Sequence, residues 1–387
     1  MGLQVLGGLT AEQFLTEYWQ KKPLLVRNAI PEINGLLVPQ DILDLAVEEV
    51  VTARLLTQHG QFNENWKVKT SPLNKKDLKK LPSLWTLLVQ AVDHFSPDIA
   101  ALWQHFDFIP QWRRDDIMVS YAPKGGSVGR HYDQYDVFLV QGYGKRRWQL
   151  GQYCQPDCEL IPDQPLRLLP DMEVHFDEIL EPGDLLYVPP TLSHYGVAEN
   201  DCLTFSFGFR MPNATQLLDE LTDQLLDVPS SQLPIADQNT RQPQAAGAVS
   251  QQDLQALKQY LVQMVNQDEY FTQAALSLLS EIKYPDSLPE NDPITHTELL
   301  EALQTGATIQ REPATRLLYT TDAQDQLQFW ALGEKLEVNT ANINLLKRIA
   351  DGAVLGINDI DPSPAMLEQL CHLYEDAILL INMEDEG

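Results

Sequence analysis

Residues 115–210 consist of short apolar runs separated by glycine and proline turns, and this pattern constrains the fold more than any other part of the chain. Short runs rich in β-branched and aromatic residues are typical of antiparallel strands. Antiparallel sheets protect their edges by closing or by packing face to face, and they then enclose a ligand-sized interior. We therefore expect a double-stranded β-helix, with strands at 117–121, 137–140, 147–150, 185–188 and 203–209.

The tripeptide His-x-Asp occurs three times in the chain, but only one copy has a setting that suits a binding site. The copy at 131–133 follows a glycine-rich segment, 125–129, and precedes a β-type run, 135–140, and a glycine turn at 142–144. This order predicts a β-hairpin that carries the motif. The other two copies lie at 105–107 and 175–177.

A second histidine block completes the candidate site. His194 lies 61 residues after Asp133, behind a Pro-Gly-Asp turn, an apolar run at 185–188 and a proline corner, so we expect it just past a strand end. Two histidines and one carboxylate on one face of a metal leave three positions open, as in non-haem Fe(II) oxygenases. His131, Asp133 and His194 are therefore the candidate metal ligands and catalytic centre. The residues alone leave the identity of the metal open, since Mn, Co, Ni and Zn accept the same ligands.

The two blocks resemble the paired motifs of the cupin superfamily, Gly-x5-His-x-His and Gly-x5-Pro-x-Gly-x2-His-x3-Asn. Gly125 lies six residues before His131, and the second block keeps the spacing from glycine to proline. The sequence departs from the cupin pattern at three positions. Asp133 replaces the second histidine, as in the JmjC branch, Thr191 replaces a glycine, and the final asparagine is displaced to Asn200.

The chain is strongly acidic, with 55 acidic and 27 basic residues and a formal net charge of −28. Such a charge repels nucleic-acid phosphates and attracts a basic partner from a distance. A polycationic protein substrate fits this charge. The alternative is that the charge only keeps the protein in solution.

Length and cysteine content predict a large enzyme in a reducing compartment. A chain of 387 residues with 44% hydrophobic content suggests two or three domains with ordinary cores. The four cysteines form no Cys-x2-Cys pair, and Cys154 and Cys158 are interpreted as two loop thiols. No apolar run is long enough to span a membrane or to act as a secretory signal, so we expect a cytoplasmic protein.

The rest of the chain reads as mainly helical segments on either side of the strand-rich block. Thr10 begins a capping box with Gln13, ahead of an N-terminal helix, and a strand is expected at 24–27. Ser250 and Asp253 cap a later helix, whose apolar stripe packs internally or against a second subunit. Beyond 290, the order helix, β-type runs at 308–319 and 326–332, and two helices predicts a winged-helix-like unit without a basic stripe for DNA.

Five stretches of the chain are similar to the JmjC-type ribosomal oxygenases, and in particular to their bacterial arginine-hydroxylating branch. The resemblance covers essentially the whole chain. It implies a JmjC barrel at 1–211, a helical dimerisation region at 212–290 and a winged-helix-like domain at 291–387, an α+β fold in a homodimer. It also implies Fe(II)-, 2-oxoglutarate- and dioxygen-dependent hydroxylation of the β-carbon of an arginine in large-subunit ribosomal protein sixteen. The five stretches are 18–27, 129–138, 141–148, 182–190 and 205–210.

One cation is expected to bind the co-substrate. The distal carboxylate of 2-oxoglutarate is a buried charge, and a guanidinium can hold it through two parallel hydrogen bonds. Arg146 follows the glycine turn, on a strand that should return beside the His131 strand, and it matches the family position for this role. Strand alternation turns Lys145 and Arg147 outward. Ser120 and Thr204 are expected to hydrogen-bond the same molecule.

Four further residues are candidates for binding the substrate arginine. Asp116 would pair with its guanidinium, the ring of Tyr135 would pack on its planar face, and Ser206 would accept a hydrogen bond. Met118 shares a strand face with Asp116, and alternation lets each such face line one cavity. The groups predicted to share a face are 116, 118 and 120, then 131, 133 and 135, and finally 204 and 206.

Two other classes of function remain open from the sequence. One is a cupin-type metalloenzyme that acts on a small molecule, such as an isomerase or a dioxygenase without 2-oxoglutarate. The other is a non-catalytic, acidic ribosome-binding module. Arg146 argues against the first, because a buried cation opposite the metal suits a dicarboxylate, and the intact ligand set argues against the second. Within the oxygenase class, an N-methyl-lysine demethylase is a near neighbour.

Overall fold

The computed structural model describes residues 2–59, 65–226, 228–233 and 245–382. The chain forms two compact units. The first contains Met1–Met211 together with Tyr284–Leu288, and the second contains Pro212–Lys283 and Pro289–Gly387. The three-part division at 211 and 290 stays a prediction, because residues 212–283 group with the C-terminal segment.

Short helices come before the strand-rich block in the first unit. Helix α1, Ala11–Glu17, begins as predicted at Thr10, whose hydroxyl accepts from the backbone of Gln13 while the Gln13 side chain accepts from the backbone of Thr10. This capping box satisfies N–H groups that a helix leaves unpaired at its start. Strand β1, Leu24–Val26, lies at the expected place. Helices α2 and α3 are Pro39–Leu45 and Pro97–Ala101.

Two antiparallel sheets form the barrel of the first unit, which confirms the predicted double-stranded β-helix. The larger sheet has eight strands in the order β1-β9-β6-β11-β5-β4-β2-β3, and the smaller has three in the order β10-β7-β8. The remaining strands of this unit are β2 Ala53–Gln58, β3 Trp66–Thr70, β4 Leu84–Val89, β5 Arg114–Ala122, β6 Asp136–Tyr143, β7 Arg146–Tyr153, β8 Phe176–Leu180, β9 Leu185–Val188, β10 Leu192–Ala198 and β11 Cys202–Phe209.

Strand β6 is buried on both faces because it stands between two cores. Val137 and Leu139 pack with Trp148 and Leu150 of the smaller sheet. The alternate residue Phe138 belongs to the cluster on the other face, together with the N-terminal helices. Since successive side chains of a strand point to opposite faces, one strand serves both cores. This double burial fixes the register of β6 and, with it, the position of the residues that precede it.

The predicted hairpin between β6 and β7 is wrong. The chain passes from β6 to β7 through the glycine turn, but β7 pairs with β8 and β10 in the smaller sheet. Gly144 makes this change of sheet possible, because its φ is +61° and an added Cβ would collide with the carbonyl of Asp201. Turn chemistry showed where the chain reverses, whereas long-range pairing decided which strand it joins.

The second unit begins with three helices, α4 Ala214–Leu226, α5 Gln251–Val265 and α6 Asp268–Ser280. Ser250 caps α5 as predicted, in a capping box with Asp253. A winged-helix arrangement follows, with a three-stranded sheet in the order β13-β14-β15 and a core that includes Phe329 and Leu346. Its elements are α7 His296–Gln304, β12 Thr308–Arg311, β13 Leu318–Thr321, β14 Leu327–Ala331, β15 Glu334–Leu336, α8 Ile343–Ala350, α9 Pro364–Glu375 and β16 Leu379–Asn382.

Two smaller expectations concern the cysteines and membrane-spanning helices. All four cysteines are unpaired thiols, and Cys154 is buried while Cys158 is partly exposed. Among the described residues, none of the helices is both long enough and apolar enough to cross a bilayer.

Candidate active site

The two histidines of the candidate metal site are neighbours across a backbone bridge. The N–H of His131 donates to the carbonyl of His194 at 3.1 Å, and the N–H of His194 donates back at 2.8 Å. Each ring places Nδ1 within hydrogen-bond distance of a backbone carbonyl, that of Gly129 at 3.1 Å and that of Leu192 at 3.0 Å. A ring that donates from Nδ1 keeps the lone pair of Nε2 for a metal.

Asp133 completes a compact set of three ligand atoms, which all lie within 4.8 Å of one another. Its Oδ2 is 3.6 Å from Nε2 of His194 and 3.9 Å from Nε2 of His131. Ligand atoms about 2.1 Å from a shared ion are separated by roughly 3 to 4 Å, so this set fits one divalent cation. Two imidazoles and one carboxylate are also the donor set of non-haem Fe(II) sites.

Burial keeps one of these histidines neutral. His194 is 2% exposed, and desolvation, together with the neighbouring His131, lowers its pKa to about 4. A neutral imidazole is the form that binds a metal, so this histidine need not lose a proton at neutral pH before it coordinates.

Two local expectations about these residues are wrong. His194 lies inside β10, paired with Leu150 of β7, and not past a strand end. Asp133 and Tyr135 lie in an irregular segment, so they do not share a strand face with His131. The corner at Thr191 explains both, because its φ of +66° turns the chain directly into β10 and its N–H donates to the carbonyl of Asp133 at 2.7 Å.

All ten predicted site residues border one cavity of about 350 Å³ between the two sheets. They come from β5, β7, β10 and β11 and from the segment before β6. The barrel therefore brings together residues that are up to 90 positions apart in the sequence. They are Asp116, Met118, Ser120, His131, Asp133, Tyr135, Arg146, His194, Thr204 and Ser206.

Arg146 is buried within this cavity wall. Its guanidinium donates to the hydroxyl of Ser120 at 3.1 Å and of Thr204 at 3.5 Å, and to the carbonyl of Gly196 at 3.4 Å. Its Nε has no hydrogen-bond partner, and within the described ranges it forms no ion pair with a carboxylate. Burial lowers its pKa.

A buried guanidinium without an acidic partner is costly, so this position favours an anion from solution. Its neighbours along β7 behave differently. Lys145 pairs with Glu181 and Arg147 pairs with Asp177, and both cations are about half exposed. The alternation predicted from the sequence therefore matches the structure, with one cation inside the barrel and two outside.

The cavity wall also contains a buried carboxylate, that of Asp116. Asp116 is 4% exposed, and its Oδ2 accepts from the backbone N–H of Ala91 at 2.9 Å. The guanidinium of Arg210 lies over the ring of Tyr135 at 4.7 Å and pairs with Asp115. A side chain of this protein thus already covers one face of the aromatic ring that was predicted to receive a substrate arginine.

Several cavity residues were not predicted. Arg210 and Trp148 both border the cavity, and both stand in stretches that carry the family resemblance, so the signal was present. Gln141, which does not line the cavity but accepts from the hydroxyl of Thr204 at 3.0 Å, belongs to such a stretch as well. Gln90, by contrast, directly follows β4, in a part of the sequence that contains no recognisable motif.

Two family models match the chain. Residues 101–217 match the JmjC domain, which includes every predicted site residue, and residues 263–379 match the ROXA-like winged helix. The winged-helix interpretation of the C-terminal segment is therefore confirmed.

Relatives of nearly the same length support the same assignment. A probable ribosomal oxygenase of Haemophilus influenzae is 44% identical over 96% of both chains, and the ribosomal protein uL16 3-hydroxylase of Escherichia coli is 33% identical over 84% of both. The structure of the ribosomal oxygenase YcfD of Escherichia coli with cobalt and 2-oxoglutarate has a TM-score of 0.82 and 29% identity, and covers 98% of this chain and 99% of that one. The chain therefore belongs to the ribosomal oxygenases, a family of JmjC-type, 2-oxoglutarate-dependent oxygenases.

Proposed function

We propose that this protein hydroxylates the β-carbon of an arginine side chain in large-subunit ribosomal protein sixteen, uL16, with Fe(II), 2-oxoglutarate and dioxygen. The main support is that one cavity holds a His-Asp-His set, a buried arginine without an acidic partner and a separate buried carboxylate. These three features match the three charged groups of the reaction, which are a metal ion, a dicarboxylate and a guanidinium. The similarity to the ribosomal protein uL16 3-hydroxylase of Escherichia coli adds to the support.

His131, Asp133 and His194 would hold the metal ion from one side. Bound Fe(II) with 2-oxoglutarate and dioxygen supplies an oxidant that can remove hydrogen from an unactivated carbon. Burial keeps the imidazole of His194 neutral, backbone carbonyls orient both rings through their Nδ1 atoms, and side chains of the barrel surround the three ligand atoms.

Arg146 would hold the distal carboxylate of 2-oxoglutarate. Its burial makes a charge-assisted hydrogen bond stronger than it would be in water, since the local dielectric constant is low. Ser120 and Thr204 already contact this guanidinium, and they would add hydroxyl groups around the same carboxylate. The co-substrate would thereby be held with its other end toward the metal ligands.

Asp116 would bind the guanidinium of the substrate arginine, with Met118 on the same strand, β5, and Ser206 opposite Met118 on the neighbouring strand β11. Tyr135 would offer the ring face that Arg210 does not cover. Holding the guanidinium at a distance from the metal leaves the carbons nearer the backbone close to the reacting centre. Such positioning supplies a large part of enzymatic rate acceleration.

The wider setting fits a basic protein substrate. With a net charge of −28, the chain repels nucleic acids and attracts positively charged proteins, so we include no DNA and no membrane among its partners. We also propose a homodimer in the cytoplasm. Helix α5 supports the dimer, because none of its described side chains is buried and its apolar residues form one exposed stripe: Leu254, Leu257, Leu261 and Val265.

The test is turnover with an arginine-containing uL16 fragment, read by mass spectrometry and by succinate formation. We expect the fragment to gain one oxygen atom on a single arginine, and His131→Ala or Asp133→Ala to abolish both products while the protein stays folded. His175→Ala is the matched control, because His175 belongs to another His-x-Asp copy and its side chain is 67% exposed. An unmodified fragment, or full turnover by His131→Ala, would refute the proposal.

A further inference from the structure

A short segment that follows the JmjC region by more than 60 residues in the sequence folds as part of the first unit. Tyr284–Leu288 follows α6 in the sequence, yet it groups with residues 1–211. It is held there by Ser287, whose hydroxyl is 2.7 Å from Nδ1 of His94 and also donates to the carbonyl of Tyr284. The rings of His94 and Tyr284 meet edge to face at 6.0 Å. These contacts fix the backbone and the ring of Tyr284.

The hydroxyl of Tyr284 is directed at the carboxylate proposed to bind the substrate. It lies 3.4 Å from Oδ2 of Asp116 and 3.2 Å from the side-chain amide of Gln90. In the amide orientation that satisfies its neighbours, Gln90 donates to the same Oδ2 at 3.1 Å and accepts from Arg54 at 3.2 Å. The backbone N–H of Ala91 donates to this oxygen as well. Three donors therefore converge on one oxygen of Asp116.

Convergent donors do two things to a buried carboxylate. They stabilise its ionised form, and they restrict its rotation, because any other rotamer would break several hydrogen bonds together. Burial and the nearby carboxylates raise the pKa of Tyr284, so its hydroxyl stays protonated and can donate at neutral pH. Asp116 borders the cavity, whereas Tyr284 lies behind it.

We propose that Tyr284 is a positioning residue for the substrate arginine, acting through Asp116 by holding its carboxylate toward the cavity. This inference rests on the proposed function, in which Asp116 binds the guanidinium. It extends the substrate site beyond the region that matches the JmjC domain, which ends at residue 217. The substrate site is therefore complete only when residues after α6 are present.

The experiment compares Tyr284→Phe with the wild-type protein, because this change removes one hydroxyl and keeps the ring. We expect the KM for the uL16 fragment to rise roughly 5- to 10-fold, less than the direct loss of a hydrogen bond to a charged group because the hydroxyl acts on the substrate only through Asp116, while kcat and the KM for 2-oxoglutarate stay the same. In an Asp116→Asn background the same change should add nothing further, because the partner carboxylate is already absent.

Tyr319→Phe is the matched control, since the hydroxyl of Tyr319 also donates to an aspartate, Asp351, at 2.8 Å but lies in the second unit. It should leave all kinetic constants unchanged. The inference would be overturned if Tyr284→Phe left the KM for the fragment unchanged, or if its effect added fully to that of Asp116→Asn. In either case, turnover by the wild-type protein would still uphold the proposed function. No wild-type turnover would refute the proposed function itself, and with it this inference. Equal melting temperatures for the variants would separate positioning from a general loss of stability.

Discussion

At the scale of single residues, Arg146 and Arg147 offer a direct comparison of two neighbouring arginines. Arg146 is buried without a carboxylate partner in the described part of the chain, whereas Arg147 is half exposed and paired with Asp177. In Arg146→Met we expect the KM for 2-oxoglutarate to rise roughly 30- to 150-fold, the effect of losing a charge-assisted bidentate contact. The KM for the uL16 fragment should change far less.

Arg147→Met is the control, because exposed ion pairs contribute little to stability and this one lies outside the cavity. Steady-state assays at varied concentrations of 2-oxoglutarate and of the fragment measure the KM for each. If Arg146→Met changed the two KM values equally, the assignment of Arg146 to the co-substrate carboxylate would be wrong.

Thr191 is a second residue whose effect can be predicted, because it has a left-handed conformation that suits glycine. Its φ is +66°, and β-branched residues rarely adopt this region. Thr191→Gly should therefore relieve about 1 kcal/mol of backbone strain, which offsets the added flexibility of glycine in the unfolded chain. We expect a melting temperature equal to or above that of the wild-type protein.

Thr320→Gly is the control for this prediction. Thr320 lies in strand β13 with a negative φ, so a glycine there relieves no strain and only weakens the strand. That variant should have a lower melting temperature, as measured by calorimetry. A Thr191→Gly protein that melts at a clearly lower temperature would show that the threonine side chain stabilises the corner.

At the scale of elements, the sequence predicted several apolar strands but missed others, including the apolar β4, Leu84–Val89, and the more polar β8 and β10. Strand β9 agrees with its prediction, but β8 was missed because three of its five residues are exposed. Strand β10 was missed because it contains serine, histidine, tyrosine and glycine. These elements exist because the barrel pairs them, and long-range pairing leaves no periodic signal in the chain itself.

The candidate site shows the same division between local and long-range information. Motif spacing, together with the family resemblance, was enough to select the candidate metal ligands and Arg146, because each stands near a turn or in a strand of recognisable pattern. Gln90 and Tyr284 had no such context, since only the fold brings them to Asp116. Residues that act through another residue are therefore the ones most easily missed from a sequence.

Helix α5 provides the prediction at this scale, since its exposed stripe supports the proposed homodimer. Leu257 is 49% exposed and Leu261 is 65% exposed, and both lie on one face of the helix. Replacing both with aspartate should convert a dimer into monomers, because two buried charges per helix would oppose association. Sedimentation equilibrium measures the change in mass.

The matched control is Gln259→Asp, a change on the opposite face of the same helix, which should leave the dimer intact. A wild-type protein that is monomeric at micromolar concentration would refute the dimer. A double variant that stays dimeric would place the interface elsewhere.

At the scale of the whole molecule, the negative charge is unevenly distributed. Residues 212–387 contain 28 acidic and 8 basic residues, whereas residues 1–211 contain 27 and 19. The net charge is therefore −8 for residues 1–211 and −20 for residues 212–387, so the helical and winged-helix half has most of the negative charge. The negative charge supports the proposal that this half attracts a basic protein and not DNA phosphates.

The charge distribution leads to a prediction about salt. Under the proposed function, long-range attraction between the acidic half and full-length uL16 would accelerate their encounter, and added salt would screen this attraction beyond about 10 Å. Raising the salt concentration from 0.05 to 0.5 M, an illustrative range of about tenfold, should lower kcat/KM for the full-length protein by roughly 10-fold or more. A short fragment with a single arginine has little charge beyond the binding site, so its kcat/KM should fall much less. Initial-rate assays on both substrates measure how steeply kcat/KM falls with salt concentration. An equal fall for the full-length protein and the fragment would mean that the acidic half plays no part in recognising the substrate.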